Sequence, residues 1–155
     1  MIKDSSEDLN QIAKPQKILI VGAGKLGSKL VTDLSKDGHV LRVVENSLEK
    51  FSELSANLIE SNSVSTMLGD YTDRHFWNQM NLNDIEILVA ITESDSCNLY
   101  IAQIATHILR ISKVFVLLSD DNLANVYKSF DFKVISISDL FVSSVKSYIS
   151  SEEEM

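Results

Sequence analysis

Residues 17–30 read KILIVGAGKLGSKL, and this stretch decides the fold. An apolar run over 17–21 leads directly into Gly22-Ala23-Gly24-Lys25-Leu26-Gly27, a G-x-G-x-x-G pattern that opens a helical stretch over 25–37. In a strand-turn-helix setting each glycine has a physical task. Gly22 permits a tight turn, Gly24 leaves room for a pyrophosphate, and Gly27 lets helix close on strand. Unpaired N–H groups and the positive end of the helix dipole would face an anion at that turn. A glycine-rich turn without a ligand is the plain alternative; the position of this one, immediately after a strand, favours binding. A Walker A loop is excluded, because no G-K-[ST] follows at the required spacing.

Working outward, the same alternation continues along the chain. Apolar runs VLRVV (40–44), VSTML (64–68), EILVAI (86–91), VFVLL (114–118) and KVISI (133–137) are separated or followed by helical patterns over 47–58, 72–80, 94–110, 121–129 and 138–149. Strictly alternating strand and helix patterns call for parallel strands joined by right-handed crossovers, with both sheet faces covered. The predicted fold is therefore α/β: a Rossmann-type doubly wound, six-stranded, mainly parallel sheet with helices on both faces. Residues 1–16 read as a flexible arm, 17–137 as the nucleotide-binding domain, 138–150 as a C-terminal helix and 151–155 as a solvated acidic tail. Local signals agree. Leu26, Leu30, Val31 and Leu34 form one apolar stripe on the first helix, Asp37-Gly38 ends it, and Ser47, Asp70 to Asp73 and Asp120 offer N-cap side chains for later helices.

Composition narrows the classes. The chain has 155 residues, 45% of them apolar, with 14 Lys plus Arg against 22 Asp plus Glu and a formal charge of −8. That length and apolar fraction suit one domain with a sizeable core. The negative charge disfavours nucleic acid and anionic membrane surfaces as partners. The one cysteine, Cys97, cannot form an intramolecular disulfide, and the first residues, MIKDSSEDLN, lack the apolar segment of a signal peptide, so a cytoplasmic protein is expected. No apolar run approaches the roughly 18 residues of a membrane span, so no direct membrane insertion is expected.

Glu45 ends the second strand, where an acid in this fold accepts hydrogen bonds from the adenosine ribose. Its charge would repel a 2′-phosphate, and Asn46-Ser47 supplies no cation to offset that, so NAD or another adenine nucleotide is favoured over NADP. Gly69-Asp70 and Thr92-Glu93 follow strands three and four at the edge where open α/β sheets bind ligands. Asp70 serves equally well as an N-cap of the third helix. His39, His75 and His107 lie on separate elements without partners at metal-ligand spacing, so no metal site is expected. Cys97 has no recognisable base partner and reads as a small core thiol.

These motifs resemble the RCK family, the regulators of potassium conductance also called TrkA-N or KTN domains. The resemblance spans about 17–140 and rests on KILIVGAGKLGSKL, Glu45, the Gly69-Asp70-x-Thr72-Asp73 turn, and Ala90-x-Thr92-x-x-Asp95-x-x-Asn98-Leu99. It implies that Gly22, Gly24, Lys25 and Gly27, with Leu26 beside them, hold phosphates. Glu45 and the adjacent Asn46 would hold the ribose, Asp70 and Tyr71 would border the adenine, and Thr92 and Glu93 would line the rest of the pocket. Lys25 stands where the family often has arginine, keeping the charge without the planar fork. Family members commonly continue into a second regulatory domain; that domain and its ligand are expected to be absent here.

Two helical stretches suggest self-association. In 94–110 one stripe is Leu99, Ala102, Ala105 and Leu109 and another is Ile101, Ile104 and Ile108, more than a single sheet contact covers. In 138–149 Leu140, Phe141, Val142, Val145, Tyr148 and Ile149 follow a sheet already complete. The expectation is a non-enzymatic, nucleotide-sensing regulator of potassium transport. It would bind NAD or NADH, alternatively ATP or ADP, form at least a homodimer, and act on a membrane-embedded transporter or channel subunit through its assembly geometry. The competing readings are a small NAD-dependent oxidoreductase, which would share Gly22 to Gly27 and Glu45 but finds no acid–base residue here, and an oligomerisation module whose nucleotide site has decayed.

Overall fold

The structure is a computed structural model that describes residues 14–52, 54, 58 and 61–152. Residues 1–13 of the expected arm, 53 and 55–57 of the helical stretch expected over 47–58, and 153–155 of the expected tail lie outside the described residues. Six strands appear where the apolar runs predict them: β1 Lys17–Val21, β2 Val40–Glu45, β3 Val64–Leu68, β4 Ile87–Ala90, β5 Lys113–Leu118 and β6 Lys133–Ser136. All pair in parallel, in the order β3-β2-β1-β4-β5-β6. The helices are α1 Lys25–Lys36, α2 Leu48–Phe51, α3 Arg74–Gln79, α4 Asp95–Gln103, α5 Asp121–Tyr127 and α6 Ile137–Glu152. The last strand is shorter than its apolar run, because Ile137 begins α6 instead of ending β6. Likewise 151–152 continue that helix and are not part of a loose tail.

Side chains alternate across each strand, so the sheet carries two cores. Ile18, Ile20, Leu41 and Val43 pack with Val31 of α1 on one face. Leu19, Val21, Val44 and Leu88 pack with Trp77 of α3 and Ile101 and Ala102 of α4 on the other. Each large aliphatic side chain fully buried in this way contributes about 1.5–3 kcal/mol relative to exposure. The apolar stripes over 94–110 are covered within the chain itself and need no second copy to bury them, contrary to expectation: Leu99, Ile101, Ala102, Ile104 and Ala105 are all buried, and only Ile108 of the two stripes is exposed. The reason is that Trp77, Tyr71 and Leu82 join the core that α4 forms with the sheet. Its last turn, Ile104–Ile108, is π-helical, with the Leu109 amide donating to the Ile104 carbonyl, and Arg110 stops it at φ 58°.

Helix cover is uneven. Strand order proceeds outward in one direction from β1 to β3 and in the other from β4 to β6, so right-handed crossovers place the two sets of helices on opposite faces. On the α1 face, Val89, Ile91, Phe115, Leu117 and Ile135 of the β4–β6 half are therefore only half-buried. A cavity of about 390 Å³ lies over Val89, Ile91, Leu117 and Ile135, bounded by Leu26, Leu30 and Leu140. The helix that could close it, α6, stands away from the sheet, with residues 139–151 exposed throughout. Among the described residues, no helix is long and apolar enough to cross a membrane.

Candidate functional site

Strand order reverses between β1 and β4, and ligands in open α/β sheets bind outside the carboxyl ends of strands at such a point. The glycine loop lies here. Gly22 has φ +115°, and a Cβ there would meet the Ile91 carbonyl oxygen at 2.6 Å. A Cβ on Gly27 would strike the Gly22 carbonyl oxygen, so Gly27 lets α1 lie against the loop. Gly24 differs: the nearest atom to a Cβ there is Glu93 Oε1 at 3.9 Å, which leaves open space on that side. The three glycine tasks inferred from spacing therefore have three separate geometric causes.

Gly24 is also the N-cap of α1 and supplies no side-chain cap, whereas Ser47, Asp73, Ser94 and Asp120 cap α2, α3, α4 and α5. A helix leaves its first amides without intrahelical partners. With no carboxylate in the first turn of α1, those donors and the helix dipole are directed at the crevice. This donor set suits a phosphate. The crevice is a cavity of about 280 Å³ whose lining brings together Gly24, Lys25 and Leu26 of the loop with Thr92 and Glu93 after β4.

Glu45 sits deeper than the sequence suggests. It is 1% exposed; Oε2 accepts the Ala23 amide at 2.8 Å, and Oε1 accepts the Asn46 and Ser47 amides at 2.7 and 3.0 Å. A carboxylate offers about four acceptor directions, so three are filled by backbone. Glu45 thus fastens the glycine loop to the end of β2, and a ribose would have one remaining direction to use. Asn46 next to it is exposed.

Asp70 and Tyr71 lie on the β3 side and are not part of the cavity lining. Asp70 is exposed and accepts both the Thr72 hydroxyl and amide, which lower its pKa. The N-cap of α3 is Asp73, which accepts the His75 amide, so the capping alternative for Asp70 does not apply. Tyr71 is buried beneath the site. Burial first, then the negative charge of Glu45, with Cys97, Asp70 and Glu93 adding to it, pushes its phenol up to about 12.

Thr92 is held, not free: its amide and hydroxyl both donate to Asn98 Oδ1, at 2.8 and 2.7 Å. Asn98 Nδ2 in turn donates to the Thr92 and Leu117 carbonyls. Asp95 accepts the Ser119 and Asp120 amides, joining the β4 and β5 edges of the crevice. Asp95 and Asn98 line the cavity yet were legible only as motif letters. Lys50 of α2 was missed outright; its Nζ lies 3.2 Å from Glu93 Oε2. Elsewhere His39 is buried and accepts the Gln16 amide, Cys97 is half-buried, and the described residues hold no cluster suited to a metal.

An all-parallel sheet with a glycine loop at its switch point defines a Rossmann-type domain of the nucleotide-binding class. Within that class, the TrkA-N domain model matches residues 18–137, and the chain belongs to this family. It is 26% identical over 118 residues to the Trk system potassium uptake protein TrkA of Vibrio alginolyticus, covering 76% of this chain and 25% of that protein. The chain thus spans about a quarter of that relative's length. Among solved structures, the TrkA-N domain of inner membrane protein ybaL from Escherichia coli superposes with a TM-score of 0.68 at 17% identity, covering 87% of this chain and 97% of that one. The GsuK channel bound to NAD gives a TM-score of 0.61 at 16% identity, over 79% of this chain and 21% of that one. GsuK bound to ADP gives 0.66 at 15% identity, over 88% and 34%.

Proposed function

We propose that this domain binds an adenine nucleotide across the crevice and acts as a regulatory part of a potassium transport system. The observation that carries the reading is the uncapped start of α1 beside the open face of Gly24, at the switch point of the sheet. In this reading Gly22, Gly24, Lys25, Leu26 and Gly27 form the phosphate loop, and Glu45 with Asn46 meets the ribose. Asp70 and Tyr71 border the adenine, and Thr92 and Glu93 close the far side. NAD, NADH, ATP and ADP all present the required pyrophosphate and ribose, and the neighbours bound to NAD and ADP support that range. The site binds and releases; it performs no reaction.

The partner is a membrane-embedded potassium transporter or channel subunit, as the potassium uptake relatives suggest. Regulation follows if the nucleotide has different affinities for two assembly states. A second copy of this chain is the natural cover for the half-open α1 face. The sheet there is apolar, and α6 presents Leu140, Phe141, Val142, Val145, Tyr148 and Ile149 to solvent. A thermal-shift panel of NAD, NADH, ATP and ADP tests the reading, because a ligand that binds only the native state stabilises it by mass action. At least one should raise the melting temperature; none doing so at millimolar concentration refutes nucleotide sensing.

A further inference from the structure

Lys50 and Glu93 approach the crevice from opposite sides, Lys50 from α2 beyond β2 and Glu93 from the end of β4, and their charges meet at 3.2 Å. The pair passes close to the open face of Gly24, since the other oxygen of Glu93 is the nearest atom to that face. A carboxylate therefore lies beside the N-cap of α1, a place whose donors suit any anion. Lys50 is largely covered, at 27% side-chain exposure, while Glu93 is 79% exposed and can swing into solvent. Exposed ion pairs contribute little to stability, so this one is readily exchanged for a stronger partner. A phosphate is that partner, carrying more charge and more acceptor oxygens than a carboxylate.

We infer that Lys50 is a phosphate-binding residue of this site and that Glu93 is the anion it releases when a nucleotide enters. The inference rests on the nucleotide reading above and adds to it a cation that the glycine pattern does not contain. Glu93 then acts as an internal competitor. It sets a threshold that a phosphorylated ligand must exceed.

The test is a double-mutant cycle on Lys50→Met and Glu93→Gln, read by titration calorimetry with ADP and, in parallel, NAD. Glu93→Gln should tighten ADP binding by roughly threefold to tenfold, because a competing charge is gone. Lys50→Met should weaken it by about tenfold in both the wild-type and the Glu93→Gln background, as expected for loss of a charged hydrogen-bond donor. Lys50→Arg should stay within about threefold of wild type, since the charge remains. If Lys50 served only to hold Glu93, Lys50→Met would have no effect once Glu93 is Gln, and that result overturns the inference while leaving nucleotide binding in place. Weaker ADP binding by Glu93→Gln overturns it too. A wild-type chain that binds neither ADP nor NAD refutes the underlying reading, and the inference fails with it.

Discussion

Replacing Glu45 with alanine should damage the fold as well as the site. The carboxylate accepts three backbone amides, of which the Ala23 contact is buried and the Asn46 and Ser47 contacts are partly buried. Stranding the Ala23 amide costs about 1–3 kcal/mol, and the two others, which regain water, add about 0.5–1.5 kcal/mol each. The expected total is thus about 2–6 kcal/mol, or roughly 4–24 °C in melting temperature for a chain of this size. Glu45→Gln keeps the volume and one acceptor oxygen but turns an amide donor toward one of the backbone N–H groups, so it should lose a smaller amount, about 1–3 kcal/mol. The assay is calorimetric melting of the three proteins without ligand, followed by ADP titration at a temperature where all are folded. Two variants that melt within about 2 °C of wild type would show that the loop does not depend on this carboxylate and that Glu45 is a surface acid after all.

Three further outcomes follow from the same geometry. Gly24→Val should abolish nucleotide binding while melting within a few degrees of wild type, because φ of −69° and the 3.9 Å clearance accommodate a side chain that only a ligand would meet; retained affinity would remove the loop from the site. Charging α6 with Phe141→Asp and Tyr148→Asp should convert an assembly of at least two copies into monomers by light scattering, and a folded variant of unchanged mass would show that another surface joins the copies. Tyr71 should ionise near pH 12 in an absorbance titration, and Tyr71→Phe should remove that step. Its folded pKa lies above the unfolded value, so the stability linked to it is intact below about pH 10 and is lost as pH rises toward 12. Tyr71→Phe should flatten that decline.

The architecture was legible because its signals are local. Six apolar runs, spaced by helical periods, announce parallel strands, and a glycine pattern after the first of them locates the crevice. What the sequence concealed depends on contacts between distant segments. Glu45 reads as a strand-end acid for a ribose, and only the closing of the glycine loop over it adds the Ala23 amide to the adjacent amides of Asn46 and Ser47 and so buries it. Lys50 reads as one more lysine on a short helix until β4 brings Glu93 beside it. The double apolar stripe over 94–110 suggests an external partner because helical periodicity counts faces without saying which element covers them; here Trp77 and its neighbours do. For α6 no such intrachain cover is found: its apolar residues are exposed and the sheet beside it is half open.

Asn98 has a consequence for how a ligand would be received. Its side chain is 1% exposed, and every donor and acceptor it owns is used: two bonds from Thr92 into Oδ1, and two from Nδ2 to the carbonyls of Thr92 and Leu117. The carboxyl ends of β4 and β5 are thereby locked in register with the start of α4. One wall of the crevice is therefore preorganised, with its entropy already lost during folding and not charged to association. On the opposite wall, α2 carries Lys50 on a helix of four residues. A ligand entering this cleft would therefore meet a wall whose shape is already set, so the fit on the β4–β5 side would select the ligand and would not adapt to it.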